Sequence, residues 1–125
     1  MGLFDFMAKR SPGLSIDETL MALTKGAVLI DVRTQREYEA GHAPGARPVD
    51  PQAFKTDPLD AIFGDDPLAE RDSAIIAMCD TGLRSAYVAA ELRKQGILAE
   101  SVSGGLFAWI RDGNPSIPGP YRGPR

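Results

Sequence analysis

The stretch Ala74-Ile75-Ile76-Ala77-Met78-Cys79-Asp80-Thr81-Gly82-Leu83-Arg84-Ser85 decides the reading of this 125-residue chain. Its apolar half predicts a buried strand, and its polar half, centred on a glycine, predicts a tight loop. A helix-like segment begins near Ser85. Its unpaired N–H groups and the positive end of its dipole therefore point back toward the Cys79 sulfur. That setting favours a thiolate, a strong nucleophile that the same N–H groups can hold. Gly82 lets the backbone turn inward without a Cβ clash, and the loop N–H groups from Asp80 to Ser85 would cradle the sulfur. Arg84 brings a fixed charge that can pair with an oxyanion at the loop mouth.

Working outward toward the C-terminus, residues 85–95 carry Ala86, Val88, Ala89, Ala90 and Leu92 between charged positions, a compact helix closed by Gly96. Residues 97–103 read as another strand. Gly104-Gly105 leads into a last helix ending at Gly113, in which Phe107 and Trp109 are read as core. Toward the N-terminus, residues 50–73 hold Pro51, Pro58, Pro67 and several Asp-containing turns. Short helices there would contribute Phe54, Leu59, Ile62, Phe63 and Leu68 to the core. Residues 34–40 predict a brief helix with Thr34 as N-cap and Glu37 completing a capping box. Val28-Leu29-Ile30-Asp31-Val32 is a β-branched run suited to a strand covered on both faces. Before it, Ser15 or Asp17 caps a helix ending at Gly26. Strands alternating with helices at this spacing argue for an α/β layered fold with right-handed crossovers. The division expected is an N-terminal arm at 1–13, one domain at 14–113 and a Pro/Gly-rich tail at 114–125, extended or mobile.

Composition narrows the function. With 43% apolar and 25% charged residues, the chain reads as one soluble globular domain. No apolar run has the length to span a bilayer, so no membrane partner is expected. The net charge of -3, with Lys and Arg scattered, gives no general attraction to nucleic acid. A single cysteine excludes an internal disulfide, a Cys-x-x-Cys redox pair and a multi-cysteine zinc site. Covalent sulfur chemistry at Cys79 must then finish on another molecule. The opening residues lack the pattern of a secretory signal, so a cytoplasmic location is the expectation.

The segment Leu29-Ile30-Asp31-Val32-Arg33 with Glu37-Tyr38, the turn Gly41-His42-Ala43-Pro44-Gly45-Ala46, the loop from Cys79 to Ser85, and Gly104-Gly105 with Trp109 together resemble a single-domain rhodanese-like sulfurtransferase. The resemblance implies an α/β fold, a mostly parallel sheet flanked by helices on both faces. It also implies that Cys79 becomes a persulfide and passes its extra sulfur to a nucleophilic acceptor. The residues themselves support that chemistry. A Cys79 thiolate attacks the outer sulfur of a donor such as thiosulfate and expels sulfite; cyanide, a small thiol or a protein thiol then takes the sulfur. Cys79 is the catalytic candidate, and Asp80, Thr81, Gly82, Leu83, Arg84 and Ser85 are the donor-binding candidates. No metal, cofactor or general base is called for.

Other chemistries share parts of this pattern. Cysteine phosphatases and arsenate reductases use a related cradle with one residue more between nucleophile and arginine, whereas four residues separate Cys79 from Arg84 here. The shorter ring suits one sulfur atom better than a tetrahedral phosphate. A non-catalytic docking or regulatory module on the same fold would favour loss of the loop cysteine, and Cys79 is present. A lone cysteine is commonly just a small core residue, but the strand end, glycine and arginine point to a nucleophile. His42, between Gly41 and Pro44, reads as a structural turn residue, and Asp31 with Arg33 as hydrogen-bonded framework. Asp80 stands apart from this pattern: its carboxylate is expected to raise the Cys79 pKa and repel a dianionic donor, favouring a less charged donor or a basic partner.

Overall fold

Two apolar strands, β1 (Val28–Asp31) and β3 (Ile75–Met78), pair in parallel from Val28 opposite Ile75 to Asp31 opposite Met78. In this computed structural model, which describes residues 13–123, β2 (Arg47–Pro48) lies outside β1 and β4 (Ala99–Ser101) outside β3. All pairings in the four-stranded sheet are parallel, in the order β2-β1-β3-β4. A single parallel bridge from Leu14 to Val102 continues the sheet past β4. Parallel strands need crossovers, and these put helices over both faces, as the sequence leads one to expect.

Side-chain alternation along the strands divides the core in two. Leu29, Ile76 and Met78 pack with Ile16 and Ala22 of α1 (Ile16–Thr24), Tyr38 of α2 (Gln35–Ala40) and Trp109 of α5 (Gly105–Arg111). On the other face, Ile30, Ile75, Ala77 and Cys79 pack with Phe54 of a 3-10 turn (Pro51–Lys55), Ile62 and Phe63 of α3 (Pro58–Phe63), and Val88, Ala89 and Leu92 of α4 (Leu83–Lys94). Each fully buried Leu or Ile contributes about 1.5–3 kcal/mol, so both layers are needed to hold so short a sheet.

Local chemistry fixes the helix starts. Ser15, rather than Asp17, caps α1: its hydroxyl accepts from Glu18 N–H at 3.1 Å while Glu18 accepts from Ser15 N–H at 2.9 Å. The same reciprocal box joins Thr34 and Glu37 at the start of α2. By contrast, α4 begins at Leu83, two residues before the expected start, because left-handed Gly82 (φ 104°) acts as its N-cap.

Two apolar assignments need correction, and the tail is better held than expected. Leu68 is 86% exposed rather than core. Asp66 takes the interior place there, pairing with Arg47 at 2.6 Å and accepting from Leu68 N–H, and this turns the Leu68 side chain outward. Phe107 is 69% exposed, because Leu106, Ala108 and Trp109 supply the inward face of α5. The tail is extended but docked: Ile117 exchanges backbone hydrogen bonds with His42, and Trp109 Nε1 donates to the Pro115 carbonyl at 2.8 Å. Apart from Gly13, the expected N-terminal arm lies outside the described residues. Among those residues, no helix is long and apolar enough to cross a membrane.

Candidate active site

Strand β3 hands Cys79 off its C-terminal end, in register with Ile75 and Ala77, so the thiol turns toward α4. The chain then doubles back through Gly82. Its positive φ favours glycine, and a Cβ built there would sit 3.2 Å from Gly104 N. The return brings Gly82 N–H to 3.1 Å from Cys79 Sγ, Ser85 N–H to 3.4 Å and Ser85 Oγ to 3.4 Å. Donors therefore converge on the sulfur from the first turn of α4.

The outer side of the loop is held by α5. Leu106 N–H donates to the Cys79 carbonyl at 2.8 Å, and Phe107 N–H to the Asp80 carbonyl at 3.0 Å. Gly105 makes this approach possible, since a Cβ there would lie 2.5 Å from the Cys79 carbonyl oxygen. Peptide carbonyls are thus bound outside the ring while N–H groups face the sulfur within it. Burial pushes the Cys79 thiol up, but hydrogen bonds from the Ser85 hydroxyl and from the Ser85, Gly82 and Thr81 N–H groups outweigh it. The thiol ends below its ordinary value. Cys79 is nevertheless 0% exposed and belongs to the apolar cluster under α4.

Two expectations for the loop change. The thiol ends lowered despite the neighbouring Asp80, whose carboxylate accepts from Thr81 N–H at 2.8 Å and lies 3.3 Å from Arg84. Burial pushes the Asp80 carboxyl up, and those two contacts more than reverse it. Arg84 does not stand free for an oxyanion. Its Nη1 and Nη2 donate to the two oxygens of Glu37 at 3.0 and 2.9 Å. Arg84 holds the Glu37 carboxyl at about 2, chiefly by that hydrogen bond, with the Thr34 N–H adding to it. Leu83 lies in the first turn of α4 with its side chain 81% exposed beside the loop.

Glu37 and Gly105 are the site residues that reading for sulfur chemistry missed. Glu37 showed as a helix-capping residue and as part of the family resemblance, and nothing local links it to Arg84, 47 positions away. Gly105 showed only as half of a glycine pair. The framework residues behave as expected. Arg33 grips Asp31 through Nε and Nη2 at 3.0 and 2.9 Å and donates to the Gly41 carbonyl at 2.7 Å. His42 is buried, stacks on Tyr38 at 3.7 Å and has Nδ1 2.8 Å from the Tyr38 carbonyl. A cavity of about 750 Å³ opens beside Arg84, with Val32, Gln35, Val49, Asp50 and Asp60 among its walls.

A profile of the rhodanese-like domain matches residues 15–112. The chain belongs to the rhodanese-like domain family. Solved structures agree on the fold. A rhodanese-related protein from Thermoplasma volcanium superposes with a TM-score of 0.69 at 22% identity, covering 85% of this chain and 97% of its own. The thiosulfate sulfurtransferase from Pseudomonas aeruginosa gives 0.66 at 22% identity, covering 88% of this chain but 20% of that longer one. A protein of unknown function from Rhodopseudomonas palustris, described as a possible tyrosine phosphatase, gives 0.65 at 24%, covering 90% and 89%. At these identities the likeness is one of fold, and both chemistries appear among the names.

Proposed function

We propose that this rhodanese-like protein is a sulfurtransferase that carries a sulfane sulfur on Cys79. The Cys79 thiolate attacks the outer sulfur of a donor, thiosulfate or a similar small molecule. The donor's S–S bond breaks and sulfite leaves with the electron pair, so that Cys79 holds one extra sulfur. Cyanide, a small thiol or a protein thiol then attacks that sulfur, and the Cys79 thiolate is restored. Asp80, Thr81, Gly82, Leu83, Arg84 and Ser85 form the ring and rim through which donor and acceptor reach it.

One observation carries this reading: N–H and O–H donors from Gly82 and Ser85 converge on Cys79 Sγ within 3.4 Å. That arrangement matches a single anionic sulfur, and the loop is one residue shorter than a phosphate-wrapping cradle. The test is to treat the protein with a sulfane donor and weigh it. A gain of one sulfur atom, removed by cyanide with release of thiocyanate and absent in Cys79→Ser, is the expected result. The 0% exposure of Cys79 favours a second reading, a docking or regulatory module with a closed loop. Equal, background transfer by the wild type and Cys79→Ser would establish that reading instead.

A further inference from the structure

Arg84 stands in the loop itself, where it enters the first turn of α4, and its fork is already occupied. Glu37 takes both terminal nitrogens at 3.0 and 2.9 Å, and Asp80 lies 3.3 Å from Nη2. Two carboxylates against one guanidinium leave the mouth with a net charge near minus one. Glu37 is not free to swing aside, because its Oε1 also accepts from Thr34 N–H at 3.0 Å, closing the first turn of α2. A dianionic donor would have to displace Glu37 from Arg84 and loosen that cap.

We propose that Glu37, acting through Arg84, sets the donor class: a sulfane sulfur bearing one negative charge, as in a thiosulfonate or an organic persulfide anion, in preference to dianionic thiosulfate. This rests on the sulfurtransferase reading. For a thiosulfonate, the Cys79 thiolate attacks the terminal sulfur, the new Cys79 S–S bond forms, the donor S–S bond breaks, and a sulfinate leaves with the electron pair. Only one charged group then stands at the rim, and Arg84 can stay with Glu37. Glu37 is a positioning residue here, since it touches Arg84 rather than the reacting sulfur.

The probes are thiosulfate and the methanethiosulfonate anion, which has a methyl group in place of one charged oxygen. Persulfide loading is followed for wild type, Glu37→Gln and Glu100→Gln. Gln at 37 can still accept the Thr34 N–H, so the cap survives while the charge is lost. Glu100→Gln removes the charge from a surface pair with Arg93, 3.3 Å apart and outside the loop mouth. The wild type is expected to favour the monoanion by roughly tenfold in kcat/KM relative to the same donors reacting with free cysteine. In Glu37→Gln that preference falls roughly fivefold through a lower KM for thiosulfate, with kcat little changed, while Glu100→Gln matches the wild type. Equal use of both donors by the wild type, or an unchanged preference in Glu37→Gln, overturns the proposal. If neither donor leaves sulfur on Cys79, the sulfurtransferase reading fails by itself. The role of Glu37 is then read from loop amide shifts on titration with sulfate and methanesulfonate. Tighter sulfate binding by roughly fivefold in Glu37→Gln supports the role, and unchanged binding sinks it.

Discussion

Ser85 shows how one side chain can serve two ends. In the sequence the helix is expected to begin near it, yet α4 starts at Leu83 with Gly82 as its cap, and the Ser85 hydroxyl lies 3.4 Å from Cys79 Sγ and 3.3 Å from the Gly82 carbonyl. It acts on the sulfur with its hydroxyl and its N–H together, which is why it leads the groups that lower the thiol against burial. Ser85→Ala keeps the N–H and removes the hydroxyl, so the Cys79 pKa should rise. The pH profile of iodoacetamide alkylation measures it, and an unshifted midpoint would show that the backbone alone holds the thiolate. The sign of the stability effect follows. A folded pKa below the unfolded value of 9.0 contributes fully above that value and fades as pH falls through the lowered one. The stability gap between wild type and Ser85→Ala should therefore widen toward alkaline pH. Gly105 is the second decisive residue. Its φ of 57° and the 2.5 Å approach of a built Cβ to the Cys79 carbonyl leave no room for a side chain. Gly105→Ala should cost about 1–3 kcal/mol in urea unfolding and raise the Cys79 pKa as the loop shifts. A stability loss with an unmoved pKa would mean that the α5 contact does not shape the ring.

Elements whose signals are local were legible in the sequence, and those that depend on a distant partner were not. The capping box of α2 lies within three positions, so Thr34 and Glu37 announce it. The bond from Glu37 to Arg84 spans 47 positions and exists only once α2 and α4 are set around the same sheet edge. Leu68 and Phe107 are apolar without a periodicity that assigns them a face, and tertiary packing put both outside. The tail illustrates the same limit: four prolines forbid a helix, which is visible, but its docking depends on surfaces supplied by α2 and α5. Gly119 N–H donates to the Glu39 carbonyl at 2.9 Å, Ile117 and His42 exchange two backbone bonds, and Trp109 Nε1 reaches Pro115. These contacts strap the end of α5 to the end of α2. Ending the chain after Gly113 should lower stability by about 2–4 kcal/mol, the sum of these bonds at typical net values. The shift in urea midpoint is the check. An unchanged midpoint would mean that water replaces every one of them at no cost.

Across the whole molecule, the division of the core into two faces has a consequence for the cysteine. The parity of β3 puts Ile75, Ala77 and Cys79 on the α4 face and Ile76 and Met78 on the other, a pattern the apolar run predicts only as a strand buried on both sides. The N–H groups of Gly82 and Ser85 reach the sulfur only while α4 is pressed onto its face, and Val88, Ala89 and Leu92 do the pressing. Leu92 is 0% exposed and Ile16, on the opposite face, 5%. Each truncation, Leu92→Ala or Ile16→Ala, should cost about 2–5 kcal/mol, because both remove packed methyl groups from a closed layer. Their effect on chemistry should differ. Leu92→Ala lets α4 back away from the sheet, lengthens the donor contacts to Cys79 and raises its pKa, so alkylation at neutral pH slows. Ile16→Ala weakens α1, which gives the ring no hydrogen bond, and should leave the alkylation midpoint where it is in the wild type. The comparison needs both variants at a temperature where each is fully folded, with circular dichroism confirming it. Equal shifts in the two would mean that the sheet transmits slack through its full thickness, and that the grip on the sulfur belongs to the entire domain rather than to the α4 layer.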